Sequence, residues 1–240
     1  MKRAFKTVLD ALFPLNFTCD ICGRETFGTN ICNGCAKALK HNDKAVCPVC
    51  GRKTVREELC IDCKQKPPLF ETAVSSFVYE GAAAYLIRKF KTGCGYLKEY
   101  FADKICKSLK GFPEFDCIVC VPMTPRAQRK RGYNQSELLA KAVAQRLGKP
   151  YIAGALEKRR ETGAQKDLTR KERSTNLAGC FRVLAVEQLV GKRVLVVDDI
   201  LTTGATADEM AKALKKAGAK KVYLATVASV EYKINSREKE

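Results

Sequence analysis

Phe5, Val8, Leu9, Leu12 and Phe13 recur at the i, i+3, i+4 spacing of a short amphipathic helix, predicted over residues 4–13. From residue 17 to 66 no apolar period persists, and Pro67-Pro68 closes the stretch. From Ala73 the chain settles into alternation. A strand over Ala73–Tyr79 precedes helical stretches reaching about Lys110, a second strand ends at Val121-Pro122, and a helix follows near Gln135–Leu147. A long polar segment covers 157–176. The most apolar strand, Arg193–Val197, then leads to a helix over Thr206–Ala217 and a last strand over Lys221–Val227. Strands alternating with helices predict βαβ units: an α/β fold with a mostly parallel, twisted sheet covered by helices on both faces. The expected organisation is a short helix in 1–14, a small irregular module in 15–68 and an α/β domain in 69–240.

The irregular module owes its character to cysteine. Eight of the chain's 13 cysteines form four Cys-x-x-Cys pairs: Cys19/Cys22, Cys32/Cys35, Cys47/Cys50 and Cys60/Cys63. Each member of the second set lies 28 residues after its counterpart (19 to 47, 22 to 50, 32 to 60, 35 to 63), and Cys-Gly-Arg recurs at 22–24 and 50–52, so the unit is duplicated. A Cys-x-x-Cys turn aims two thiolates at one point, and two such turns make a closed tetrahedral zinc site with a structural role. Either each copy closes its own zinc or the copies interleave. Duplication favours the first, because the copied unit is then self-sufficient. Such a small module would fold on its metal and apart from the remainder.

The other cysteines read differently. Cys117 and Cys120 lie in an apolar strand, where residues i and i+3 point to opposite faces and cannot grip one metal. Cys94, Cys106 and Cys180 are packing residues, and His41, the single histidine, is an exposed linker residue. One histidine also excludes mechanisms that need a catalytic pair. Met1-Lys2-Arg3 opens like a signal peptide, but Asp10 interrupts the apolar stretch and no small-residue cleavage site follows. No run approaches the ~18 apolar residues of a membrane span. The expectation is a cytoplasmic protein without membrane insertion.

Charge adds direction. The formal net charge is +18; residues 1–70 hold 12 lysines and arginines against 7 acids, so most of the excess lies in the α/β domain. Any polyanion surface is expected there, and the ribbons are read as a folding or protein-docking module. In a parallel sheet, ligands bind beyond the carboxyl ends of the strands. There the chain places Asp198-Asp199, followed by Thr202-Thr203-Gly204-Ala205-Thr206 opening a helix. Two acids suit a ribose diol or a metal-bound water, and a hydroxyl-rich turn at a helix start suits a phosphate.

Val196–Thr206 resembles the 5-phosphoribosyl-1-pyrophosphate (PRPP) motif of type I phosphoribosyltransferases. Taken with the four Cys-x-x-Cys pairs, Pro67-Pro68, and Arg126-x-x-Arg129-Lys130-Arg131-Gly132-Tyr133-Asn134-Gln135 after a Val-Pro strand end, residues 15–230 resemble the ComF/GntX-type phosphoribosyltransferase-like proteins. The resemblance implies two structural Zn²⁺ ions, and PRPP bound with Mg²⁺. Asp198 and Asp199 would hold the ribose hydroxyls, directly or through Mg²⁺-bound water. Thr202, Thr203, Gly204, Ala205 and Thr206 would bind the 5′-phosphate. The loop from Pro122 to about Arg126 stands where type I enzymes bind pyrophosphate, with Arg129 and Arg131 following it. The polar segment, with Arg170 and Arg173 among its bases, resembles the mobile lid. Family members are associated with natural competence in bacteria, which implies imported single-stranded DNA and the proteins of a DNA-uptake machinery as partners. Three readings stay open: a transferase with an unidentified acceptor, a non-catalytic PRPP-binding regulator, and a DNA-binding factor using the fold as scaffold.

Overall fold

The structure is a computed structural model and describes residues 18–26, 28–161 and 177–231. The predicted helix over 4–13, Arg170 and Arg173 lie outside them. Two short helices belong to the cysteine module: α1 (Asn33–Ala38) and α2 (Ile61–Gln65). The α/β domain follows as β1 (Thr72–Val78), α3 (Gly81–Lys91), α4 (Lys98–Ser108), β2 (Cys117–Cys120), α5 (Pro125–Arg131), α6 (Gln135–Leu147), β3 (Leu156–Lys158), β4 (Phe181–Val183), α7 (Val186–Leu189), β5 (Arg193–Leu201), α8 (Ala205–Lys216) and β6 (Lys221–Ser229).

The main sheet runs β1-β6-β5-β2, parallel at every pairing. Parallel strands must be covered on both faces, and their near-continuous apolar runs meet that demand. Leu86, Ile87 and Phe90 of α3, Phe101 and Ile105 of α4, and Leu139 and Val143 of α6 pack on one face with Ile118, Leu195 and Val197. Met210, Ala211 and Leu214 of α8 cover the other face, against Val119, Val194, Val196 and Leu224. Cys117 belongs to the second core and Cys120 borders the first, as strand alternation requires. Among the described residues, no helix is long and apolar enough to cross a membrane.

Several elements depart from expectation, each for a local reason. The stretch predicted as a basic loop is the helix α5. Thr124 caps it, its hydroxyl accepting from the Ala127 N–H at 3.2 Å, Pro125 takes the first turn, and Gly132 ends it in the left-handed region at φ 89°. Strand β5 continues four residues past Val197, because Asp198, Ile200 and Leu201 still pair with Thr226, Ala228 and Ser229 of β6. The polar segment begins as β3, which pairs antiparallel with β4 in a separate two-stranded ribbon.

The cysteine module is not detached. β1 is an edge strand, and its outer edge is covered by the segment joining the two cysteine units: the Asn42 N–H donates to Ser76 O at 3.1 Å, and Val78 N–H to Lys40 O at 2.9 Å. His41 is exposed, yet it is no free linker; it bridges Phe77 across this edge, the two rings 5.0 Å apart. The first cysteine unit shares a core with α3 and α4, the second with α8.

Candidate functional site

The eight module cysteines gather into two groups, 19/22/32/35 and 47/50/60/63, with all ligand atoms in each within 4.8 Å of one another. Each copy therefore closes its own site. The Cys22–Cys32 and Cys50–Cys60 sulfurs stand 3.8 Å and 3.6 Å apart. A tetrahedron with Zn–S of about 2.3 Å has an edge of roughly 3.8 Å, so both groups fit zinc. In the second group Arg52 donates to Cys50 Sγ at 3.4 Å and to Cys60 Sγ at 3.6 Å, and closes on Asp62 at 2.6 Å.

At the carboxyl end of β5 two further elements converge on the acid pair. Asp198 Oδ1 accepts from Ser136 Oγ at 2.7 Å and from the Asp199 N–H at 2.9 Å. Asp199, only 5% exposed, faces the Lys91 ammonium, Nζ to Oδ2 3.0 Å. Lys91 ends α3 and Ser136 lies in the first turn of α6. Asn134 fixes that turn: its side chain accepts from the Ser136 N–H at 3.0 Å and donates to Val121 O at 3.0 Å, tying α6 to the end of β2. Burial pushes the Asp198 carboxyl up to about 7, and Asp199 beside it adds to the shift; Ser136, the Asp199 N–H and Lys91 oppose it. One ammonium thus serves two adjacent carboxyls, and the raised Asp198 is the one that gains from a further cation or hydroxyl donor.

The turn Thr202–Gly204 follows immediately. Gly204 has φ 83°, a conformation that favours glycine, and caps α8 by accepting from the Asp208 N–H at 2.8 Å. Asp198, Thr202, Gly204 and Thr206 share a cavity of about 20 Å³. The α8 N–H groups that have no partner within the helix open beside it.

The basic residues disperse. Arg126 and Arg129 are exposed on α5, whereas Arg131 donates to Gln135 at 2.7 Å, next to Ser136. Pro122 lines a second cavity of about 270 Å³ with Cys120, Met123, Gln128, Glu137 and Tyr151. The Thr124 hydroxyl donates to Glu161, anchoring the start of the polar segment beside α5. Lys91 and Ser136 escaped the sequence reading. Ser136 had a signal, since Asn134 and Glu137 have the spacing of a capping box; Lys91 had none.

The family models match in the same two blocks: a double zinc ribbon domain over residues 8–64 and a phosphoribosyl transferase domain over 134–240. The DNA utilization protein YhgH of Salmonella typhi is 32% identical over 196 residues, covering 79% of this chain and 86% of its own. The chain belongs to the ComF-type phosphoribosyltransferase-like family. A ComF-type protein named competence protein F, from Haemophilus influenzae, is 28% identical over 86% of this chain and 94% of its own. A solved phosphoribosyltransferase from Corynebacterium diphtheriae overlaps the ComF-type chain loosely, at 17% identity and TM-score 0.37, over 62% of this chain and 94% of its own. The ComF-type architecture accounts for both blocks: two Cys₄ ribbons in front of a parallel α/β sheet.

Proposed function

We propose that this protein binds PRPP at the carboxyl end of β5. The observation that carries the reading is the junction of an acid pair, Asp198-Asp199, with a Thr-rich turn that opens α8 within the next few residues. Carboxylates accept from the ribose 2′- and 3′-hydroxyls, while the turn's N–H groups and the Thr202, Thr203 and Thr206 hydroxyls donate to the 5′-phosphate. Two carboxylates also suit Mg²⁺, which takes one or two such ligands plus substrate phosphates and water; when bound, it neutralises charge on the pyrophosphate. Arg131, held on Gln135 beside Ser136, supplies a further cation on that side. An attacking nitrogen that displaces pyrophosphate from C1 needs orientation and charge stabilisation more than a protein nucleophile, in keeping with a chain holding one histidine. The names of its relatives, a DNA utilization protein and a competence protein, support a role in bacterial competence, in which the basic α/β surface would contact imported single-stranded DNA.

The test is calorimetric titration of PRPP with and without Mg²⁺. Asp198→Asn with Asp199→Asn removes acceptor charge and leaves the shape of the strand end. Each lost hydrogen bond to a charged group is worth about 1.5–3 kcal/mol, so affinity should fall a hundredfold or more at ~1.4 kcal/mol per decade. Thr203→Val should weaken ribose 5-phosphate as well, without Mg²⁺. Parent-like PRPP affinity in the double variant would overturn the assignment.

A further inference from the structure

At the amino end of the strands, away from the acid pair, α4, the loop before β2 and the end of α6 border an open cavity of about 540 Å³. That volume is within the usual range for small-molecule sites. Leu109, Phe112, Phe115 and Leu147 form its apolar wall. The wall is braced from behind: Phe112 stands edge-on to Tyr223 at 5.7 Å between ring centres. Burial pushes the Cys106 thiol up, so it contributes a neutral surface to the same wall.

The charges around this cavity do not cancel. Of its two acids, Asp103 is engaged by Lys107 at 2.9 Å and Glu114 faces Arg193 at 3.6 Å. Lys110 and Lys149 also line the cavity, and neither has a carboxylate partner among the described residues. Lys149 lies 5.8 Å over the Phe115 ring instead. Two cations without counter-charge beside an apolar, partly aromatic wall suit a ligand with a flat apolar body and an anionic group.

We propose that this cavity binds a small aromatic acid, its ring against Phe112 and Phe115 and its carboxylate or phosphate between Lys110 and Lys149. The site is separate from the acid pair and independent of the PRPP reading. It fits a compact molecule better than a polymer, because Phe115 is buried and Phe112 half-buried, and two such rings offer no continuous exposed platform for successive bases.

The test is a ¹H–¹⁵N NMR titration of the zinc-loaded full chain with 2-naphthoate. Saturable shifts are expected at Cys106, Leu109, Lys110 and Lys149. Charge reversal by Lys110→Glu with Lys149→Glu should weaken binding at least tenfold, and so should replacing the probe by neutral 2-naphthalenemethanol. If the double variant does not fold, Lys110→Gln alone with the neutral probe carries the same comparison. Asp198→Asn with Asp199→Asn should leave 2-naphthoate affinity unchanged, so a failure of the PRPP assignment and a failure here are told apart. The proposal is overturned if the shifts do not saturate at the cavity, or if affinity survives charge reversal within twofold. Displacement of 2-naphthoate by a single-stranded oligonucleotide would also overturn it, in favour of a polymer site.

Discussion

The two zinc ribbons began as copies and now stand in different surroundings. Both keep the same turn: Gly23 N–H to Cys19 O and Gly51 N–H to Cys47 O, each 2.9 Å, and matching bridges Thr18↔Glu25 and Val46↔Lys53. Yet all four cysteines of the second are buried, while in the first only Cys19 is, and Cys22 is exposed. Arg52 of the second is buried and locked to two sulfurs and Asp62. Its counterpart Arg24 is exposed, and the position matching Asp62 is Gly34. Gly51 is wedged so tightly that an added Cβ would stand 2.4 Å from Ala73 O, whereas one at Gly23 would meet nothing within 4 Å. The difference teaches that metal-ligand spacing and structural embedding are separate properties. Duplication preserved the first, and packing against β1 built the second.

The largest effect expected from this contrast is between ligand losses. Cys50→Ser should cost on the order of 4 kcal/mol, a fraction of the ~10 kcal/mol that a structural zinc site contributes, and should lower the unfolding midpoint of the whole chain. Cys22→Ser should loosen its own ribbon and leave the midpoint nearly in place. Zinc release followed with a chromogenic chelator should show two phases of equal amplitude, the fast one absent in Cys22→Ser. A single phase would erase the distinction.

Next comes the wedge. Gly51→Ala should destabilise by about 2–4 kcal/mol, from overpacking added to left-handed strain, against about 1 kcal/mol of strain alone for Gly23→Ala. Equal losses in urea unfolding would mean that the second ribbon does not bear on β1.

Arg52→Met comes third, at about 1.5–3 kcal/mol for lost charged hydrogen bonds. It should speed the slow phase of zinc release toward the fast one. An unchanged slow phase would show that burial alone protects the second site.

The smallest effect is the transplant Gly34→Asp. The backbone there accepts a side chain, nothing lies within 4 Å of the added Cβ, and an acid in the first turn of α1 is favourable. Arg24 would gain a partner and the fast phase would slow a few-fold, at most about 1 kcal/mol. Gly34→Ala is the control; if it slows release equally, the gain is helical and not the lock.

Much of this was legible because it is local. Periodicity located α6 at Gln135–Leu147, and strand alternation separated Cys117 from Cys120. The 28-residue offset favoured self-contained metal sites. Helix α5 was equally local, marked by Thr124-Pro125 at one end and Gly132 at the other, but its run of bases masked a capped helix as a loop. The strand extension through Leu201 depends on β6 and could not be read from β5 alone. Lys91 lies more than a hundred residues from Asp199, and Lys40–Asn42 more than thirty from Ser76 and Val78. Such pairings are decided by topology, which no local spacing encodes.

The covered edge of β1 has a meaning in time as well as in space. The hydrogen-bonded neighbour of β1 is β6, the last strand, and about 140 residues separate Val78 from Lys221. During synthesis at ~5–20 residues per second, β1 waits roughly ten seconds or more for that neighbour. An apolar strand with both edges open for so long is a template for pairing with other chains. The ribbons and their connector are complete by Cys63, before β1 has emerged, and can shield one edge from the start. Zinc supply then matters to the nascent chain: under metal starvation β1 would stand unguarded on both sides until β6 emerges, and the penalty would appear as aggregated product in addition to any lowered melting point.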